Sequence, residues 1–123
     1  MNSDYWMKEG THLCTVEECI TGTHDNDTGS KYIRFDLKNE QGQHCNMSFV
    51  VSDASIRAIR SFARACGLNA AQVKLLRKAD FIGKKVEIDV TLNADGYPVP
   101  QQWRKAQSQG NRAEDAEESE YLI

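Results

Sequence analysis

Apolar and polar residues alternate along several stretches of the chain, most cleanly in "KYIRFDLKN". There Ile33, Phe35 and Leu37 fall on one side, and Tyr32, Arg34, Asp36 and Lys38 on the other. Successive strand residues point to opposite faces, so a period of two predicts a strand with one buried face. "HCNMSFVV" alternates as well, with Cys45, Met47, Phe49 and Val51 on one side. "NEQGQ", centred on Gly42, supplies the turn that makes the two a hairpin. Upstream, "THLCTVEECI" is rich in β-branched residues and predicts a first strand. One face carries Leu13 and the other Cys14, Val16 and Ile20. The polar run "TGTHDNDTGSK" then joins strands one and two as a long loop.

The period changes after Val51. Ile56, Ile59, Phe62 or Ala63, and Cys66 recur at helical spacing, with Ser52 or Asp53 as the N-cap and Gly67 as the stop. "AAQVKLLRKA" predicts a shorter helix that offers Val73, Leu75 and Leu76 for packing. "GKKVEIDVTL" returns to alternation with Val86, Ile88, Val90 and Leu92 inward, "NADGYP" turns, and "YPVPQQW" extends again. Pro98 and Pro100 cannot donate to a ladder, which places that last segment at a sheet edge. From about Gln107 apolar periodicity is lost. The expected organisation is a domain over 1–106 and a flexible acidic tail over 107–123. Three strands, a helical connection and two strands make the fold class mainly β with a helical insert (α+β). That is the element order of a five-stranded OB-fold-like barrel with a helix between strands 3 and 4.

Composition changes the picture at one end only. With 40% apolar and 27% charged residues, the 123-residue chain reads as an ordinary soluble domain plus tails. No apolar run reaches membrane-spanning length, so no membrane partner is expected. The opening "MNSDYWMKEG" carries Asp4 and no apolar core, unlike a secretory signal, and predicts a cytoplasmic location. The net charge of −3 is unevenly spread. Residues 113–123 hold Glu114, Asp115, Glu117, Glu118 and Glu120, 5 of the 18 acids, and no Lys or Arg, which leaves 13 acids against 15 bases over 1–112, +2 against −5. The acidic run ends on Tyr121, Leu122 and Ile123. Such an end suits an interaction tail: carboxylates steer it to a basic patch, and the apolar tip fills a pocket there. An acidic tail serving solubility alone is the alternative, but an exposed Tyr-Leu-Ile tip is costly for solubility alone.

Catalytic and metal chemistry finds little support. Cys14, Cys19, Cys45 and Cys66 have no export signal and irregular spacing, and read as free buried thiols. His12, His24, Asp25, Asp27 and His44 add possible ligands. Yet Cys14 and Cys19 lie an odd five residues apart, so on a regular strand they face opposite ways, and His44 and Cys45 diverge likewise. There is no C-x-x-C pair, and "DNDTG" lacks the closing glutamate of a calcium loop. No nucleophile elbow or phosphate loop occurs, and nothing makes Asp36, Glu87 and Asp89 converge on a magnesium ion. No enzyme activity, cofactor or metal is expected.

Binding an unpaired polynucleotide needs cations for phosphates and flat side chains for bases. The candidate stackers are Tyr32, Tyr97 and Trp103, with Trp6 as a further one. The candidate cations are Lys31, Arg34, Lys38, Lys84, Lys85, Arg104 and Lys105, and His44 joins from the neighbouring strand. Tyr32 and Arg34 share a face and equally fit a solvated outer surface. Trp6 and Trp103 fit partial burial in the core better than a stacking platform. Arg57, Arg60 and Arg64 follow helical spacing and read as a solvated helix face rather than phosphate contacts.

The stretches "EGTHLCTVEEC", "GSKYIRFDLKNEQGQ", "RSFARACGL" and "ADFIGKKVEIDV" carry a resemblance over roughly residues 9–104. Together they resemble the single-stranded-DNA-binding-like proteins of phage replication and recombination cassettes. The end "EDAEESEYLI" is similar in design to the acidic tail of bacterial and phage single-strand-binding proteins. The resemblance implies an OB barrel that binds single-stranded DNA without sequence preference. It further implies recruitment of replication and recombination proteins through the tail, in the cytoplasm of a bacterial host cell. A second class is a phage-encoded inhibitor or adaptor, a nucleic-acid mimic that binds a host defence or DNA-processing enzyme. A third is an assembly protein, for which a homo-oligomer would be the clue.

Overall fold

The computed structural model describes residues 5–23 and 30–106. The alternating stretches form β1 (Gly10–Thr23), β2 (Lys31–Asn39), β3 (His44–Val50), β4 (Lys85–Leu92) and β5 (Pro98–Lys105). Helices α1 (Asp53–Ala65), α2 (Ala70–Leu75) and α3 (Lys78–Phe81) lie between β3 and β4 in the chain. The strands make one antiparallel sheet in the order β3-β2-β1-β4-β5. Long β1 serves both wings. Gly10–Thr15 pair with β4, and Cys14–Thr23 pair with β2.

The register of β1 against β2 shifts between Val16 and Glu18. One extra residue in a strand reverses the side-chain parity beyond it. Cys14, Val16 and Cys19 are therefore all buried, and Ile20 lies opposite Arg34 on the outer face. This corrects the expectation that Cys14 and Cys19 face apart and that Ile20 shares the side of Cys14. A regular period of two does not survive a bulge.

The two hairpin turns use the same device. The Asn39 carboxamide oxygen accepts from the backbone N–H of Gln41 and Gln43. Asn93 accepts likewise from Asp95 and Tyr97. Such local bonds are what make asparagine a turn residue. Helix α1 starts on a capping box in which Ser52 and Ser55 bond each other's backbone N–H, and it stops at Gly67. The φ of +84° at Gly67 is left-handed backbone that glycine adopts without strain.

The core lies between the inner face of the sheet and α1–α3. Phe35 sits at its centre, with the rings of Phe62 and Phe81 each 4.8 Å away between centroids. Val16, Leu37, Val86 and Ile88 surround them, fully buried. Each such side chain removed from water contributes about 1.5–3 kcal/mol. Leu92 is exposed rather than inward: β1 begins at Gly10 opposite Val90, so among the described residues the end of β4 is paired on one side only, Leu92 with Pro98 of β5. Val51 lies past the end of β3 and Leu75 points off α2; both are exposed.

The sheet is open rather than the closed barrel expected from the element order: among the described residues no ladder joins β3 to β5. Two features occupy the place of that ladder. Pro98 and Pro100 remove donors from β5. The segment 5–7 takes the edge of β3, where the His44 N–H donates to the Tyr5 carbonyl (2.7 Å) and the Met7 N–H to the His44 carbonyl (3.0 Å). Side chains bridge the remaining seam. Phe49 and Trp103 meet edge to face with centroids 6.1 Å apart, and Cys45 Sγ lies 3.8 Å from the Pro98 carbonyl oxygen.

Candidate nucleic-acid interface

Cross-strand pairing sets out the outer face of β1, β2 and β3 in four rows. They are Gly22–Tyr32–Val50, Ile20–Arg34–Ser48, Glu18–Asp36–Asn46 and Thr15–Lys38–His44. The first two rows frame a cleft of about 290 Å³ lined by Tyr32, Arg34, Ser48, Phe49 and Val50. The Tyr32 ring lies against Gly22 so closely that a β-carbon there would stand 2.6 Å from its Oη. Next to it, the Arg34 guanidinium forms no ion pair with any described carboxylate. A flat ring and an uncommitted cation thus share one cleft.

The third row is acidic. Glu18 is exposed, and Asp36 pairs with His44 Nδ1 at 3.1 Å. The fourth row ends in an aromatic cluster. The Tyr5 ring stacks on His44 with centroids 4.5 Å apart and planes 14° from parallel. Trp6 meets Tyr5 edge-on at 4.8 Å and Tyr97 edge-on at 5.7 Å. Tyr5 and Tyr97 keep 47% and 43% of their surface exposed, so each still has surface to offer a ligand. Tyr5 escaped the sequence reading because it lies in a segment without periodicity. Its only signal was adjacency to Trp6. His44 is covered by Tyr5 and so does not offer both faces to a base.

The cations are dispersed. Lys38 and Lys85 both lie opposite Thr15, on either side of it, and extend the fourth row to β4. Lys31 is exposed at the head of β2, while Lys84 is half-buried and its carbonyl accepts from Val16 N–H. Arg104 lies on the other wing, on β5. Its guanidinium forks onto both oxygens of Asp89 (2.9 and 3.0 Å) and bonds Glu87 as well. Thr11 donates a further bond to Asp89 at 2.7 Å. These hydrogen bonds hold the Asp89 carboxyl down at about 2 and push the Arg104 guanidinium up. Arg104 is therefore not brought together with Tyr32 and Arg34. Trp103 is turned inward: its indole N–H donates to Ser61 Oγ (3.1 Å), and its ring meets Phe49 and Phe62 edge-on.

Burial pushes the thiols of Cys14, Cys45 and Cys66 up to about 12, so they stay protonated. Among the described residues no three His, Cys, Asp or Glu side chains gather as metal ligands. No described helix is long and apolar enough to cross a membrane. The β1–β2 loop residues 24–29 and the tail residues Glu114, Asp115, Glu117, Glu118, Glu120, Tyr121, Leu122 and Ile123 lie outside the described residues. Compared with known proteins, the chain matches no family model and no curated protein.

Proposed function

We propose that this chain is an OB-like single-stranded-DNA-binding protein that lays the strand across the outer face of β1, β2 and β3. The observation that carries the reading is the Tyr32–Arg34 cleft, where a ring for a base adjoins a free cation for a phosphate. The strand and helix order, with a sheet that curls until β3 and β5 exchange side-chain contacts, supports the OB-like design. From the Tyr32 row to the His44 row the face covers the seven residues of β3, six steps or about 20 Å. The Tyr5–Trp6–Tyr97 cluster provides a second aromatic surface at the far end. The acidic tail recruits replication and recombination proteins, and deletion of residues 113–123 abolishes that recruitment while leaving or raising DNA affinity.

Titration of a labelled oligo-dT at several salt concentrations tests the reading. Lys31, Arg34, Lys38 and Lys85 can engage four phosphates, which predicts that log K falls against log salt with a slope of about −3. Absence of binding at low salt would overturn the proposal and favour the inhibitor or adaptor class, for which pull-down of a DNA-processing enzyme is the matching assay.

A further inference from the structure

A second basic site lies on the helices. Arg60 and Arg64 are one helical turn apart on α1, and Lys74 reaches the same cleft from α2. With Ala70 and Val73 they line an open hollow of about 290 Å³. No acidic side chain lines it, and none of the three cations forms an ion pair with a described carboxylate. Like charges at i and i+4 repel, while the position of Arg64 in the last turn of α1 offsets part of that repulsion through the helix dipole. Arg60 adds a sharper signal. Its Nε–H is enclosed by protein and meets no acceptor among the described residues. An enclosed N–H without an acceptor is costly, and rotation of the half-buried Arg60 side chain towards the cleft would let an oxyanion there satisfy it together with two neighbouring charges.

We infer that the α1–α2 cleft is a phosphate-binding site, taking a phosphoryl oxyanion between Arg60, Arg64 and Lys74. The fork of an arginine suits two oxygens of a tetrahedral anion, and the lysine serves as a point charge. Buried Val73 closes one side of the cleft with apolar surface, which strengthens the pairing. The anion is either free phosphate or the phosphodiester of a polynucleotide, because both present the same oxygens. The site stands apart from the sheet face and does not depend on it.

The Nε–Hε resonances of the ¹⁵N-labelled full chain provide the test, with Arg60 assigned by loss of its signal in Arg60→Lys. Sodium phosphate is added in one arm, short oligo-dT in a second, and sodium chloride at matched ionic strength in a third. The expected result is a saturable Arg60 shift that chloride does not reproduce. In Arg64→Gln/Lys74→Gln, where the Arg60 signal remains, the same shift requires about tenfold more anion or beyond. Saturation at lower concentration with the oligonucleotide assigns the source as a polynucleotide, and the reverse assigns it as free phosphate. An Arg60 resonance unmoved by phosphate and oligonucleotide, or moved equally by chloride, overturns the inference.

Discussion

A single methyl group at Gly22 probes whether the Tyr32 ring is a stacking surface. Alanine there would place its β-carbon 2.6, 2.7 and 2.9 Å from Oη, Cζ and Cε2 of Tyr32. Ordinary contacts begin near 3.4 Å, so the ring has to withdraw by about 0.8 Å or swing to another rotamer. Gly22 is not among the residues with positive φ, so alanine strains no backbone of its own. Displacing the ring toward an off-rotamer position costs about 0.5–1.5 kcal/mol. Stacking one base contributes about 1–3 kcal/mol, so Gly22→Ala is expected to weaken oligo-dT binding by about 5-fold to about 150-fold. Fluorescence anisotropy at fixed salt measures the loss, and urea unfolding verifies that the fold persists. Because the effect runs through Tyr32, Gly22→Ala should cost nothing more once Tyr32→Ala is present. An equal loss in both backgrounds, or no loss from either single change, refutes the reasoning.

Other consequences are open to direct measurement. Phe35→Ala empties the centre of the Phe35–Phe62–Phe81 cluster and should lower unfolding free energy by about 3–5 kcal/mol, read as a lower urea midpoint at unchanged slope. Asp89 titrates at about 2 in the fold against 3.8 ordinarily, so the stability its pairing lends is present above pH 4 and is lost as pH falls towards 2. Arg104→Met should return the Asp89 carboxyl towards its ordinary range, as observed by carboxyl NMR. The thiols of Cys14, Cys45 and Cys66, at about 12 against 9.0 ordinarily, have the opposite sign. Their contribution is intact below pH 9 and fades as pH rises from there towards 12, and at pH 8 they should resist iodoacetamide until urea is added.

Strands and helices were legible wherever one periodicity ran unbroken. "KYIRFDLKN" places Phe35 and Leu37 in the core and Tyr32 and Arg34 outside, and the structure agrees residue by residue. The turns were legible too, because Gly42, Gly67 and Gly96 stand where the backbone is left-handed. What a linear pattern does not carry is a phase change. The extra residue near Glu17 moves Cys19 inward and Ile20 outward, and nothing in the letters "TVEEC" marks it. The candidate interface was half legible. Cross-strand neighbours on one face, such as Tyr32 and Arg34, follow from alternation alone. Partners from distant segments do not. Tyr5 covering His44, the Asp89 and Glu87 carboxylates capturing Arg104, and Lys74 lining the same cleft as Arg60 are each decided by tertiary approach.

The β3–β5 seam is where the sheet is expected to open first. Strand β1 has hydrogen-bonded neighbours on both sides, whereas the edges of β3 and β5 meet through the rings of Phe49 and Trp103 and through the thiol of Cys45. Side chains can part by rotating, without severing any amide ladder. Deuterium should therefore enter β3 and β5 first and β1 last, and the sheet should unzip from that line inward.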